Sequence, residues 1–247
     1  MQELTSLNNE LVKSVSALSN KKFRDINNLF IAEGEKSVEG ALCSGFNLKY
    51  LFFTDKINFN VNDDILYKVS AKVMKKISTT ESIPPILAVF EKKKYKLNNN
   101  YSNILLLENI KDNGNLGTII RSAAAFNIDV IILLSDCCDL YSPKTIRSSV
   151  GTFFQMPIFE YKTIDEVKND FKDFKFISTN LHQKSDIKLN EIKDKFVIMF
   201  GSEAEGLSEK TTKSADNNFI LPIKNKVESL NLATAVSIIL YEISKTS

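Results

Sequence analysis

Apolar residues recur along the first part of the chain at two different periods. Leu7, Leu11, Val15 and Leu18 are three or four positions apart, so the spacing predicts a helix over Ser6–Asn20. Phe30–Glu33 reads as a strand, followed by a helix from Ser37 to Ser44, with Ser37 suited to the N-cap and Gly45 to the C-terminal cap. Leu48–Thr54 and, after Pro84-Pro85, Ile86–Phe90 read as further strands, so residues 1–90 form a small α/β unit. Between Glu91 and Asn103 the pattern gives way to lysines and Asn98-Asn99-Asn100, the composition of a linker. The expected domains are therefore 1–95 and 104–247.

Beyond the linker, short apolar runs at Ile104–Leu107, Val130–Leu134, Lys175–Thr179 and Phe196–Phe200 read as strands. Helical patterns separate or follow them at Leu116–Phe126, Ile164–Phe171 and Leu230–Ser244. Strands that are apolar throughout and alternate with helices belong to a parallel sheet with crossover helices, so the fold class is α/β.

Composition narrows the setting. Of 247 residues, 43% are hydrophobic and 25% charged, which suits a globular protein with a core. A net charge of +2 does not by itself point to nucleic acid, so any attraction for it is local. Lys21, Lys22 and Arg24 form one basic cluster and Lys92, Lys93, Lys94 and Lys96 another, although short charge runs also occur on ordinary solvated faces. Cys43, Cys137 and Cys138 lack metal-ligand spacing and read as small apolar fillers in a reducing compartment, so no metal is expected. The N-terminus has no basic start followed by an apolar run, and no stretch approaches the ~20 apolar residues that span a bilayer. A cytoplasmic protein without a membrane partner is expected.

Three segments place glycines or polar side chains at the carboxyl ends of expected strands, where open α/β sheets bind ligands. In the first, Gly114 and Gly117 flank Asn115 where a strand gives way to a helix, and Arg121 lies one turn beyond Gly117, suited to a phosphate or to a surface ion pair. These two glycines do not complete the three-glycine fingerprint of a dinucleotide site. In the second, Gly201 and Gly206 bracket Glu203 and Glu205, carboxylates suited to acid–base work or to capping a helix start. In the third, Ser229 and Asn231 precede an apolar helix that Ser229 can cap. His182, the one histidine, follows a strand in a polar loop, which gives serine–histidine or cysteine–histidine catalysis little support.

Taken together and in order, Asp112–Ala123, Gly201–Leu207 and Val227–Asn231 resemble the three motifs of the SpoU family of RNA 2′-O-ribose methyltransferases, a branch of the SPOUT superfamily. Ser148–Phe154 with Pro157 is similar to the family's segment between the first two motifs. Lys22, Arg24 and Phe30–Glu35 resemble the substrate-binding domain that precedes many members' catalytic domains, which has an L30e-like ribosomal-protein fold. Asn113 stands where many members have proline, and Asn225 where many have glycine. Asparagine is the non-glycine residue most tolerant of a left-handed turn, and neither substitution removes a reacting group.

The resemblance implies a deep trefoil knot in the C-terminal domain, S-adenosylmethionine as cofactor and an RNA substrate, with ribosomal RNA favoured over transfer RNA. It implies cofactor contacts from the backbone of Thr179, Gly201, Leu221 and Leu230. Glycine at 201 would let the chain approach the ligand closely. It places Asn115, Arg121, Glu203, Ser229 and Asn231 around the methyl acceptor, with Arg121 at the ribose hydroxyl and adjacent phosphate. Arginines hold their proton to about pH 12 or above, so phosphate binding suits Arg121 better than proton abstraction. Two other readings stay open: an inactive RNA-binding homologue, and an enzyme that methylates a base nitrogen. The family also pairs through helices near the knot, which implies a homodimer using the final helix, whose Leu232, Val236, Ile239, Leu240 and Ile243 share one face.

Overall fold

A computed structural model describes the chain apart from residues 1, 56, 58, 99, 181–184, 193–194, 224–228 and 246–247 and the Asn190 side chain. His182, Asn225, Val227 and Glu228 therefore lie outside the described residues. The chain divides into two compact units, Met1–Lys94 with Asp139–Gln155, and Tyr95–Cys138 with Met156–Ser247.

The first unit opens with β1 (Gln2–Leu4), α1 (Glu10–Ala17), α2 (Lys21–Asn27) and β2 (Leu29–Glu33). It continues with α3 (Glu35–Cys43), β3 (Leu48–Phe53), β4 (Leu66–Val69), α4 (Ala71–Ile77) and β5 (Ile86–Glu91). The strands form one mixed sheet in the order β1-β4-β3-β5-β2, with β5 antiparallel to both of its neighbours. Successive residues of a strand face opposite sides of a sheet, and β2 uses both sides. Ile31 packs with Val12, Val15, Val73 and Ile77 of α1 and α4. Phe30 meets the rings of Phe46, Phe90, Tyr141, Phe153 and Phe154.

Helix α1 is shorter than the periodicity suggests because Asn9, not a residue near Ser6, caps it through its side-chain oxygen. Ser37 is not a cap either. Gly34, at φ +83°, occupies that position and leaves Ser37 buried inside α3.

The second unit begins with β6 (Asn103–Glu108), α5 (Asn113–Ala125) and β7 (Val130–Leu134). The chain then contributes α6 (Pro143–Ser148) and a 3-10 turn, Thr152–Gln155, to the first unit, where Phe153 and Phe154 join the aromatic cluster. The second unit resumes with β8 (Ile158–Tyr161), α7 (Ile164–Asp170), β9 (Lys175–Thr179), β10 (Phe196–Phe200), α8 (Glu209–Lys213), β11 (Asn217–Phe219) and α9 (Leu232–Ser244).

All six strands of this sheet run parallel, in the order β11-β9-β10-β6-β7-β8. Ile104, Leu106, Val130, Ile132, Val197 and Met199 pack on one face with Ile164 and Val167 of α7 and with Phe171 just beyond it. Burial on both faces explains why β6, β7 and β10 read as unbroken apolar runs. Helices α5 and α9 pack together, with the Ser122 and Ser237 hydroxyls 2.7 Å apart between them.

Candidate active site

The first two motif segments follow the carboxyl ends of β6 and β10, and Ser229–Asn231 lead into α9, all within the second unit. After β6 the backbone turns at Asn109, whose φ of 59° is the left-handed conformation asparagine tolerates. Asp112 then caps α5, its Oδ1 accepting from the Asn115 amide at 2.8 Å.

The loop after β10 folds back on itself. The Gly206 amide donates to the Ser202 carbonyl at 2.9 Å, Gly206 is left-handed at φ +68°, and the Glu205 amide donates to Ser202 Oγ at 3.2 Å. A Cβ at position 201 would overlap the Gly206 carbonyl and the Leu207 amide. Within the chain, then, glycine at 201 is what lets the loop close on itself, whereas the sequence reading assigned it to ligand approach.

Side chains from the three segments meet in one hydrogen-bonded chain. Asn115 Nδ2 donates to Glu203 Oε1, and Asn231 Nδ2 donates to Asn115 Oδ1 at 3.1 Å. Asn231 Oδ1 accepts from the Thr234 amide at 3.3 Å, so Asn231 is also the N-cap of α9. The cap therefore falls two residues after Ser229, the position sequence suggested, and α9 starts at Leu232 rather than Leu230. With both ends of the Asn231 amide engaged, its orientation is fixed.

Beside this chain lies a cavity of about 320 Å³ lined by Thr179, Gly201, Glu203, Leu221, Ser229 and Leu230. Phe200, Phe219, Leu232 and Ile239 give it apolar walls. The Thr179 hydroxyl is engaged with the Met199 carbonyl at 2.8 Å. Of the nine residues singled out from sequence, six line the cavity, and Asn115 and Asn231 join it through Glu203. Arg121 stands apart. It is exposed on α5, about 120° round the helix from Asn115, and makes no hydrogen bond or ion pair among the described residues. The paired glutamates cap no helix: Glu205 Oε2 accepts from Asn109 Nδ2 at 3.1 Å, and Ser208 caps α8.

Two residues at the head of the first segment, Glu108 and Asn109, carried no role in the sequence reading. Glu108, the last residue of β6, is buried, and its carboxylate accepts from the Ser208 amide, Ser208 Oγ and Thr211 Oγ1, each at 2.8 Å. Asn109 follows it with the turn and the bond to Glu205. The available signal was an acid ending an apolar strand, because a carboxylate so placed needs donors. Among the described residues no group of three or more His, Cys, Asp or Glu side chains can hold a metal ion, and no helix is long and apolar enough to cross a membrane.

Residues 102–241 match the model of the SpoU rRNA Methylase family. The chain belongs to this family. Residues 9–88 match the MRM3-like substrate binding domain, which accounts for most of the N-terminal part. Among SpoU relatives, the chain is 30% identical to the 23S rRNA (guanosine(2553)-2′-O)-methyltransferase RlmP of Bacillus subtilis (strain 168), over 98% of this chain and 99% of that protein. It is 27% identical to the mitochondrial rRNA methyltransferase 3 of Xenopus tropicalis, over 94% of this chain and 73% of that protein. An AdoMet-bound rRNA methyltransferase from Sinorhizobium meliloti superposes with a TM-score of 0.87 at 29% identity, covering 98% of this chain and 97% of that one.

Proposed function

We propose that this SpoU protein transfers a methyl group from S-adenosylmethionine to a ribose 2′-hydroxyl of ribosomal RNA, acting as a cytoplasmic homodimer. The observation that carries the reading is the Asn231–Asn115–Glu203 chain, which joins all three motifs at the cavity. The relatives named for rRNA methylation and the AdoMet-bound neighbour support the choice of substrate and cofactor.

The cavity suits this cofactor chemically. Phe200, Phe219, Leu221 and Ile239 offer apolar surface to an aromatic base, and the backbone of Thr179, Gly201, Leu221 and Leu230 offers polar groups at the rim. When bound, S-adenosylmethionine supplies an electrophilic methyl group on a sulfonium. The chain's residues hold the ribose hydroxyl in line with it. Asn115, Glu203 and Asn231 form a preoriented polar edge for the acceptor, and Ser229 stands on the cavity wall. The exposed guanidinium of Arg121 takes the adjacent phosphate, a task suited to its planar donors. Orientation of this kind can contribute roughly 7–11 kcal/mol, more than positioned proton transfer usually does. The L30e-like character of the N-terminal domain and the trefoil knot of the C-terminal one belong to the same proposal, supported by the likeness to SpoU structures.

The dimer surface needs revision from the sequence expectation. Leu232, Val236, Ile239, Leu240 and Ile243 are buried within the chain, and Ala235 lines the cavity, so pairing through α9 falls to the exposed Ile238 and Tyr241. Replacing Ile238 with arginine should give monomers in sedimentation. Wild-type protein that is monomeric at micromolar concentration while active would remove the dimer from the proposal.

The substrate is tested by incubating the purified protein and tritiated S-adenosylmethionine with total RNA from cells lacking it. Label in ribosomal RNA is expected. Label confined to transfer RNA would overturn the substrate, and binding of RNA without any label would favour an inactive homologue.

A further inference from the structure

The function proposed above leaves open what holds Glu203 against Asn115, since Glu203 is exposed and sits on a loop. We propose that Glu108 is a positioning residue for methyl transfer, its buried carboxylate fixing the 201–207 loop so that Glu203 meets Asn115. This rests on the proposed function, because it concerns the same reaction.

Strands β6 and β10 are adjacent and parallel, with Phe200 in register with Leu107, so their carboxyl ends emerge side by side. From Phe200 the chain leaves the sheet, makes the closed Gly201–Gly206 loop and returns at Ser208. There Glu108 receives it: the Ser208 amide donates to Oε2, while the Ser208 and Thr211 hydroxyls donate to Oε1, all at 2.8 Å. The next residue adds a second tie, from Asn109 Nδ2 to Glu205 Oε2 at 3.1 Å.

The loop is thus anchored by the sheet at one end and by Glu108 at the other. Its own closure, with the Gly206 amide on the Ser202 carbonyl and Gly201 against the Gly206–Leu207 backbone, ties the two halves of the loop together. Glu108 does not line the cavity, so its influence on the reaction must pass through this loop. Shortening or neutralising the anchor leaves buried donors without an acceptor. Glutamine in its place can accept from the two hydroxyls, but its amide nitrogen then faces the Ser208 N–H, donor against donor.

The test measures turnover of the full-length protein at saturating S-adenosylmethionine, with in-vitro-transcribed 23S rRNA, for Glu108→Gln, Ser208→Ala, Glu203→Ala and the combinations with Glu203→Ala. Glu108→Gln should lower turnover about tenfold and Ser208→Ala about threefold, yet each should change it less than about twofold in the Glu203→Ala background. A purely structural role would give the same fractional loss in both backgrounds. Hydrogen exchange should show faster exchange of the 201–208 amides in Glu108→Gln, with those of Phe196–Phe200 unchanged. If Glu108→Gln fails to fold, Ser208→Ala, which removes one donor and keeps the carboxylate, decides. Full turnover in Glu108→Gln, or an equal loss in both backgrounds, overturns the proposal and leaves the proposed function standing. Full turnover in Glu203→Ala overturns both.

Discussion

Glu33 ends β2 in the first unit and Glu108 ends β6 in the second, and both are buried carboxylates held by several donors. Glu33 accepts from the Thr79 amide at 2.6 Å, the Thr79 hydroxyl at 2.8 Å and Arg147 Nη1 at 2.6 Å, and Arg147 donates again to Thr79 at 2.7 Å. That network ties a strand, a loop and α6 into one unit and closes on itself. The network at Glu108 grips a loop whose tip carries the exposed Glu203 into contact with Asn115 and, through it, Asn231. A buried acid therefore says only that something is fastened. Chemistry is marked by what the fastened element presents at the surface.

If the contrast holds, damage to the two regions should separate into loss of turnover and loss of stability. The largest effect is expected at the site. Asn231→Ala and Glu203→Ala should each lower methyl transfer by about a hundredfold or more, with little change in melting temperature for Glu203→Ala. Near-normal turnover in both would show that the polar chain is only a scaffold.

The first unit should fail through folding. Arg24, 4% exposed at its side chain, donates to the Leu18 and Ser19 carbonyls and pairs with Asp139. Asp139→Ala would leave that cation buried without its partner, at a cost of about 3–5 kcal/mol in urea unfolding. A smaller loss than about 1 kcal/mol would mean that water reaches Arg24. Deleting residues 1–94 tests the same division from outside. It uncovers Phe153 and Phe154, each worth about 1.5–3 kcal/mol when buried, so the remainder should aggregate or bind a hydrophobic dye. A monodisperse remainder would mean that Asp139–Gln155 repacks onto the second unit.

The smallest expected effect concerns the cysteines. Cys43 is exposed, whereas burial pushes the Cys137 thiol up, outweighing the backbone donors around it that act the other way. The thiolate is the reactive form, so iodoacetamide at pH 8 should label Cys43 first and Cys137 last, as read by mass spectrometry. Early labelling of Cys137 would show that the turn after β7 opens.

Much of the second unit was legible because its strands are buried on both faces. Val130–Leu134, Lys175–Thr179 and Phe196–Phe200 have the bounds that their apolar runs suggest. Strands β4, β8 and β11 were not, since runs of three or four residues with polar positions among them resemble loops. Phe153 and Phe154 announced burial without an address, because apolar character does not say which sheet a segment will cover. At the site, the glycine and asparagine clusters marked the three loops, and family resemblance supplied roles that spacing alone left open. Ser229 and Asn231 were both visible as polar residues before a helix, but which of them caps depends on where the preceding turn ends. The role of Glu108 was hidden because an acid after four apolar residues also reads as the strand meeting water.

The proposed reaction is methyl transfer to a ribose hydroxyl at the Asn115–Glu203–Asn231 edge. Its most direct test is alkaline hydrolysis of rRNA labelled by the purified protein with tritiated S-adenosylmethionine, run beside the Glu203→Ala variant. A methylated 2′-oxygen cannot attack the neighbouring phosphate, so tritium is expected in alkali-resistant dinucleotides, and almost none from the variant. Tritium released in alkali-sensitive mononucleotides would place the methyl on a base and contradict it.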